Sequence, residues 1–267
     1  MRIGIVIGRI GGVDGVALET EKWIAVLHGL GHDVRVLTGE LEAPRSDTTV
    51  LPELSFAHPA TIREQEDAFF AQQADEGELL DRLERAAAVV ERDVGRWMSL
   101  NGIELLITQN STTLPCHLVM GMALKRLIER TGIPTIAHDH DFHWERGDRY
   151  RSRYAGIQAI IAECFPPDLP NLTHVVINSH CRDSLDVERS IPARVIPNVM
   201  DFEQEFVRSD DFNQDLPAEL GLDNGDIHLF QVTRIVRRKG IETAIELVER
   251  LDDPRIKLVI TGTATDD

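Results

Sequence analysis

The densest run of chemistry-bearing side chains is His138-Asp139-His140-Asp141-Phe142-His143-Trp144-Glu145-Arg146. Three histidines and two aspartates within six residues are metal-ligand types. Their spacing argues against a metal. Positions i, i+2 and i+5 do not share a helical face, and zinc sites usually draw ligands from separate elements. No metal is expected. Imidazole donates and accepts, and carboxylate accepts, so the run suits a hydrogen-bonding wall for a polyhydroxylated ligand. A solvated polar loop is the plain alternative.

Three other segments have the composition of sites. Thr233-Arg234-Ile235-Val236-Arg237-Arg238-Lys239-Gly240 places four cations between an apolar run and a helical pattern. Cations beside a helix N-terminus suit a diphosphate; a solvated basic turn is the alternative. Gly8 to Gly15 carries glycines at 8, 11, 12 and 15. They let a ligand approach the backbone, and the helix behind them offers N–H groups to an anion; a plain tight turn is the alternative. Arg146, Arg149, Arg151 and Arg153 alternate with Tyr150 and Tyr154. They suit a phosphate or carboxylate, or a charged helix face. Neither GxSxG nor a GxxxxGK[ST] loop is present.

These segments follow apolar runs, which is where open parallel sheets bind ligands. Ile3–Gly8 reads as a strand, and Val16, Trp23, Leu27 and Leu30, with Ile24, read as a helix face. Asp33–Thr38 reads as a second strand, completing a βαβ unit. Residues 39–60 read as loop. Residues 61–100 read as one helix with Gly77 as a possible break and a stripe of Leu79, Leu83, Ala86, Val90 and Val94. Strands are expected at 103–108, 134–137, 175–178 and 194–196, and a helix from Pro115 to Gly132. Residues 201–226 hold nine acidic residues, one Arg and no Lys, and read as a linker. A new βαβ pattern then spans 227–261. Two strands and one helix cannot bury both faces of a sheet. The chain is therefore expected to be a fragment of a longer protein; the alternative packs its last 40 residues on the first domain.

Composition narrows the function classes. The 267 residues carry 28 Lys+Arg against 45 Asp+Glu, a net charge of −17. That excludes a general nucleic-acid binder, which needs a basic footprint. No run approaches the roughly 20 apolar residues of a membrane helix. Three widely spaced cysteines read as reduced thiols, hence a cytoplasmic protein.

The ordered motifs resemble a family. Gly11-Gly12-Val13 opening a helix that closes on Gly31-His32-Asp33-Val34 looks like the N-terminal domain of GT-B glycosyltransferases of the family 4 type. Val195-Ile196-Pro197-Asn198-Val199-Met200-Asp201 is similar to that family's V-I-P-N-G-V-D, with Val199 for glycine. Thr233 to Ile241 resembles its G-R-L-x-x-x-K-G-I, with Thr233 for glycine. The resemblance implies an α/β, GT-B type fold. It has an N-terminal Rossmann-like parallel-sheet domain at 1–200, a linker at 201–226 and a partial C-terminal donor-binding domain at 227–267. It implies a retaining, metal-independent transferase that moves a sugar from a UDP-, GDP- or ADP-sugar to a small soluble acceptor. The nucleotide-sugar is a substrate, and no cofactor is implied. His138, Asp139, Arg234 and Lys239 are then the expected catalytic group. Gly11, Gly12, Asn198, Arg234 and Lys239 hold the donor, and His140, Arg151 and Arg153 hold an acceptor that the arginines mark as anionic. The family's carboxylate motif, two glutamates seven residues apart, belongs further along the second domain, so the fragment is expected to be inactive. A sugar-nucleotide epimerase, a phosphorylase or a non-catalytic sugar- or phosphate-binding module are the competing readings. The oligomeric state is not legible.

Overall fold

The computed structural model describes residues 1–200, 202–203 and 210–262. The chain divides into two compact units, Met1–Met200 and Asp201–Asp267. The acidic 201–226 stretch falls partly on residues 201 and 204–209, outside the described residues. Its described part holds a short helix, Leu216–Glu219.

The first unit is built on strands β1 (Arg2–Ile10), β2 (Asp33–Leu41), β3 (Thr48–Val50), β4 (Leu105–Gln109), β5 (Thr135–Asp139), β6 (Leu172–Val176) and β7 (Ala193–Val195). They form one sheet in the order β3-β2-β1-β4-β5-β6-β7, and every neighbouring pair is parallel. Such a sheet must be covered on its faces, which explains the long apolar runs. Helix α1 (Gly15–Gly29) packs one face, where Ile3, Ile5, Ile7, Val34, Val36 and Ile107 form a core with Ile24. On the opposite face lie α2 (Pro59–Gln65), α3 (Glu76–Asn101), α4 (Leu118–Thr131) and α5 (Ala155–Cys164), joined by Val6 and Leu106 from the sheet. Helix α6 (Ser179–Arg189) closes a smaller core with Phe142, Val176 and Ile191. In the second unit β8 (Ile227–Val232) pairs in parallel with β9 (Ile256–Thr261), linked by α8 (Ile241–Leu251) after the Leu216–Glu219 helix, α7.

Several boundaries depart from the sequence reading, each for a local reason. The 39–60 stretch is not all loop. β2 runs on to Leu41, and β3 and a turn at Pro52–Leu54 follow. There Gly39 lets the chain double back, because a Cβ would lie 2.1 Å from the Ser55 backbone nitrogen. Gly39→Ala is therefore expected to cost ~2 kcal/mol or more, lowering the thermal midpoint by roughly 4–8 °C; an unchanged midpoint would refute the contact. The 61–100 helix is broken at residues 71–75, before the Asp75 cap, and Gly77 lies inside the first turn of α3. The α3 stripe uses Ala87 where Ala86 was expected. Leu30 is 67% exposed, and Ala17, Glu19, Thr20 and Ile24 form the buried side of α1. Helix α4 starts at Leu118 because His117, not Pro115, is its cap. Helix α5 was not anticipated.

Candidate functional site

Strand pleat decides which side chains meet. β5 runs through His138 and Asp139, so both are strand residues rather than loop residues. In register, Gln109 of β4 lies beside His138. These two share the α1 face with Ile107 and Ile136, and Asp139 points to the other face.

His138 is fully buried. Its ring stacks on Trp23 of α1 at 4.3 Å between centroids, and His140 lies 4.6 Å away. Nδ1 donates to Gln109 Oε1 at 2.8 Å, which fixes the tautomer and leaves Nε2 as an acceptor. Nε2 has no protein partner, nor do His140 Nε2 and Gln109 Nε2. Buried polar atoms are rarely left without a partner, and these three lie together beside Trp23. Burial, helped by neighbouring His140, pushes the His138 pKa down to about 3; burial likewise lowers that of His140. His138 is thus a neutral hydrogen-bonding group. The unfolded chain takes up its proton near the usual 6.5, so the stability this site lends is lost as pH falls from about 6.5 toward 3. The His138 imidazole resonances should stay at their neutral positions from pH 8 to 5; a titration midpoint above 5 would contradict the burial.

Asp139 accepts from His174 Nδ1 at 2.6 Å, and His174 Nε2 donates to Pro167 O at 3.0 Å. Both ring nitrogens of His174 meet oxygens, so Asp139 and the ring hold a proton between them. The pair is buried, at 0% and 2% exposure, and ties β5 to β6 directly behind His138. Asn110, at φ 51°, joins the two loops above the sheet. Its Oδ1 accepts from His140 N, and its Nδ2 donates to Asp141 Oδ1, both at 3.0 Å.

β1 extends to Ile10, so Gly8 is a strand residue packed under Phe56, and the glycine loop proper is Gly11–Asp14. Gly11 and Gly12 have φ of 96° and 68°, which side chains rarely adopt. The loop borders a cleft of about 620 Å³ with Asp14, Glu40 and Glu42 on its walls. The expectation of free N–H groups at α1 is corrected here: Asp14 Oδ1 already accepts from Val16 N and Ala17 N. The other helices of this unit are plugged in the same way. Glu64 accepts from Leu118 N and Val119 N of α4. Asp75 caps α3, Asn178 caps α6, and Glu76 accepts from Gly156 N of α5.

The second unit is the opposite. Helix α8 follows Gly240, at φ 65°, with no side-chain cap. Arg237, Arg238 and Lys239 form the turn before it, and Arg234 lies just upstream. Among the described residues, Arg234, Arg237 and Lys239 have no ion pair.

Asn198 lies on the exposed segment leaving β7. Ile196 N bonds Val176 O at 2.9 Å. Lys22, paired with buried Glu19 at 2.6 Å, donates to Val199 O. Arg151 and Arg153 are exposed and lie against residue 72 and Tyr154 on the α3 face; no described contact joins them to His138. Sequence reasoning missed Gln109 and His174, though a polar residue inside each apolar strand was the available signal. Among the described residues no three His, Cys, Asp or Glu side chains gather as metal ligands. No described helix is long and apolar enough to cross a membrane.

No protein-family model matches the chain. It is similar to two proteins named mannosylglucosylglycerate synthase. The one from Thermotoga maritima is 35% identical over 256 residues, and the one from Petrotoga mobilis 31% identical over 249. These alignments cover 95% and 93% of this chain but 57% and 56% of the relatives, so the chain spans a little over half their length. Among solved structures, WaaG, described as a glycosyltransferase involved in lipopolysaccharide biosynthesis, matches with a TM-score of 0.57 and 13% identity. That match covers 99% of this chain and 64% of WaaG, and the likeness is one of fold.

Proposed function

From a chain of the GT-B glycosyltransferase fold, we propose a retaining sugar transfer from a nucleotide-sugar to a small anionic acceptor. The first unit serves the acceptor side, and the second opens the donor side. The relatives' name supports a mannosyl group as the sugar moved and a glucosyl-glycerate as the acceptor.

The contrast between helix N-termini carries this reading. The long helices of the first unit have carboxylate or amide groups of the chain itself at their starts. Helix α8 has none and stands behind a run of cations. A leaving diphosphate gains negative charge as the glycosidic bond breaks. Fixed cations and open N–H groups then stabilise the transition state more than the ground state. Arg234 and Lys239 fill this role, with Asn198 as a further donor contact. The acidic walls around Gly11 and Gly12 disfavour a phosphate there and suit sugar hydroxyls. His138, fully buried against Trp23, acts through position at this end of the sheet, with His140 beside it. Asp139 acts through position, holding the strand that carries His138. The free thiols fit a reducing compartment, hence the cytoplasm.

The test uses the protein expressed from its complete gene, supplied in turn with UDP-, GDP- and ADP-sugars and with glucosylglycerate. The expected result is nucleoside diphosphate released in step with an acidic disaccharide-type product, whose new anomeric centre keeps the donor configuration. Donor consumed without acceptor would replace this reading with an epimerase. Consumption of no donor would leave the binding-module reading.

A further inference from the structure

The four arginines after β5 are not equivalent. Arg151 and Arg153 are exposed, whereas Arg146 and Arg149 are half-buried. Arg146 pairs with Asp141. The Arg149 guanidinium lies 5.4 Å from the Phe70 ring centre and 5.8 Å from that of Tyr150, and Phe69 packs edge-on against Tyr150 at 5.4 Å. No carboxylate pairs with Arg149 among the described residues. In a chain with 45 acidic residues, a half-buried guanidinium resting on aromatic rings with no described carboxylate against it leaves its charge open to an anion from outside.

Its place in the fold says where that anion would be. Arg149 closes the turn His143–Tyr150, which continues directly from the carboxyl end of β5. A polar chain runs along this rim as far as Arg146, three residues before it, from His140 N to Asn110, from Asn110 to Asp141 and from Asp141 to Arg146. Arg146 and Arg149 both lie close enough to Cys116, in the loop after β4, to act on its thiol electrostatically. Resting on the glycosyl-transfer reading above, we propose that Arg149 binds the carboxylate of the acceptor and so sets the preference for an acid over its neutral counterpart. The planar fork suits a carboxylate bidentately, and the rings beneath it hold the fork in place before the ligand comes. Arg151 is exposed and paired with Asp148 at 3.4 Å, and Arg153 is exposed and committed to Tyr154, over its ring at 4.8 Å and donating to its hydroxyl at 3.1 Å.

The probe pair is glucosylglycerate and glucosylglycerol, which differ only in the carboxylate. Binding of each to the protein expressed from its complete gene is measured by calorimetry. Wild type should bind the acid about tenfold or more tightly than the alcohol. Arg149→Gln should erase that preference and leave the alcohol's affinity in place. Arg149→Lys, which keeps the charge and stem, should lose severalfold on the acid alone, so the idea stays testable even where the glutamine variant unfolds. Phe70→Leu should weaken the acid by a smaller factor. A preserved preference in Arg149→Gln, or its loss in Arg151→Gln or Arg153→Gln instead, overturns the assignment while the anionic-acceptor reading stands. Equal binding of acid and alcohol by wild type, or binding of neither, overturns both.

Discussion

Lys239→Ala is expected to lower the transfer rate at sub-saturating donor by roughly 10²–10³, or about 3–4 kcal/mol of transition-state stabilisation. The size follows from what else is available. The reading has no metal to neutralise the departing diphosphate, so the burden falls on Arg234, Lys239 and the N–H groups of α8. Lys239 immediately precedes Gly240, where α8 begins without a side-chain cap. A charge there adds to the helix dipole within its first turn, where the dipole acts most strongly. The fold should not suffer, because Lys239 is exposed and no described carboxylate depends on it. Its own carbonyl accepts from Gln231 Nε2 at 2.8 Å, a contact any residue at 239 retains. The measurement is kcat/KM for the donor together with the thermal midpoint. A large loss of rate at an unchanged midpoint supports the role. Unchanged turnover at low donor concentration removes Lys239 from the diphosphate site.

How much of this was legible in the residues depends on the range of the interaction. The alternation of apolar runs with helical stripes predicted the parallel sheet, because each pattern is set by neighbours within a few residues. The cations at 234–239 were legible because charge in a sequence needs no partner to be noticed. Asp14 lies inside the glycine loop, and its side chain, turned back onto Val16 N and Ala17 N, closes the α1 N-terminus that composition alone leaves open to an anion. The Gln109–His138 bond joins residues 29 apart, and the Asp139–His174 bond joins residues 35 apart. Only strand order and register bring such residues together, and neither is written in local pattern. The same limit applies to the arginine cluster. Spacing alone could not separate Arg149, held on Phe70, from the exposed Arg151 and Arg153, because Phe70 ends a helical stretch just before the break at 71–75 that the pattern of residues 61–100 does not show.

Removing one member of the buried pair behind His138 should have the largest effect on stability. Asp139→Ala leaves the His174 imidazolium buried without its counter-charge, and the cost of such an orphan is about 3–5 kcal/mol. For a unit of this size that lowers the thermal midpoint by roughly 6–20 °C. The pH dependence identifies the cause. Burial pulls the His174 pKa down, but the charge and hydrogen bond of Asp139, with the bond to Pro167 O, outweigh it and leave the pKa above its usual value. Burial also pushes Asp139 up, and His174 offsets that only in part. The folded pair therefore keeps its proton at pH values where the unfolded histidine, near 6.5, has released it. Its contribution is complete below about pH 6.5 and is lost as pH rises through the folded value. Wild-type stability should thus fall on going from pH 6.5 to pH 9, and Asp139→Ala should flatten that slope as well as lower the whole curve. A double variant, Asp139→Asn with His174→Phe, removes both charges and should recover part of the loss, because two absent charges leave neither one unpaired. An Asp139→Ala loss below about 1 kcal/mol with the slope intact would mean that the pair is not ionised in the fold. The strand end that presents His138 would then owe its position to Trp23 and Gln109 alone.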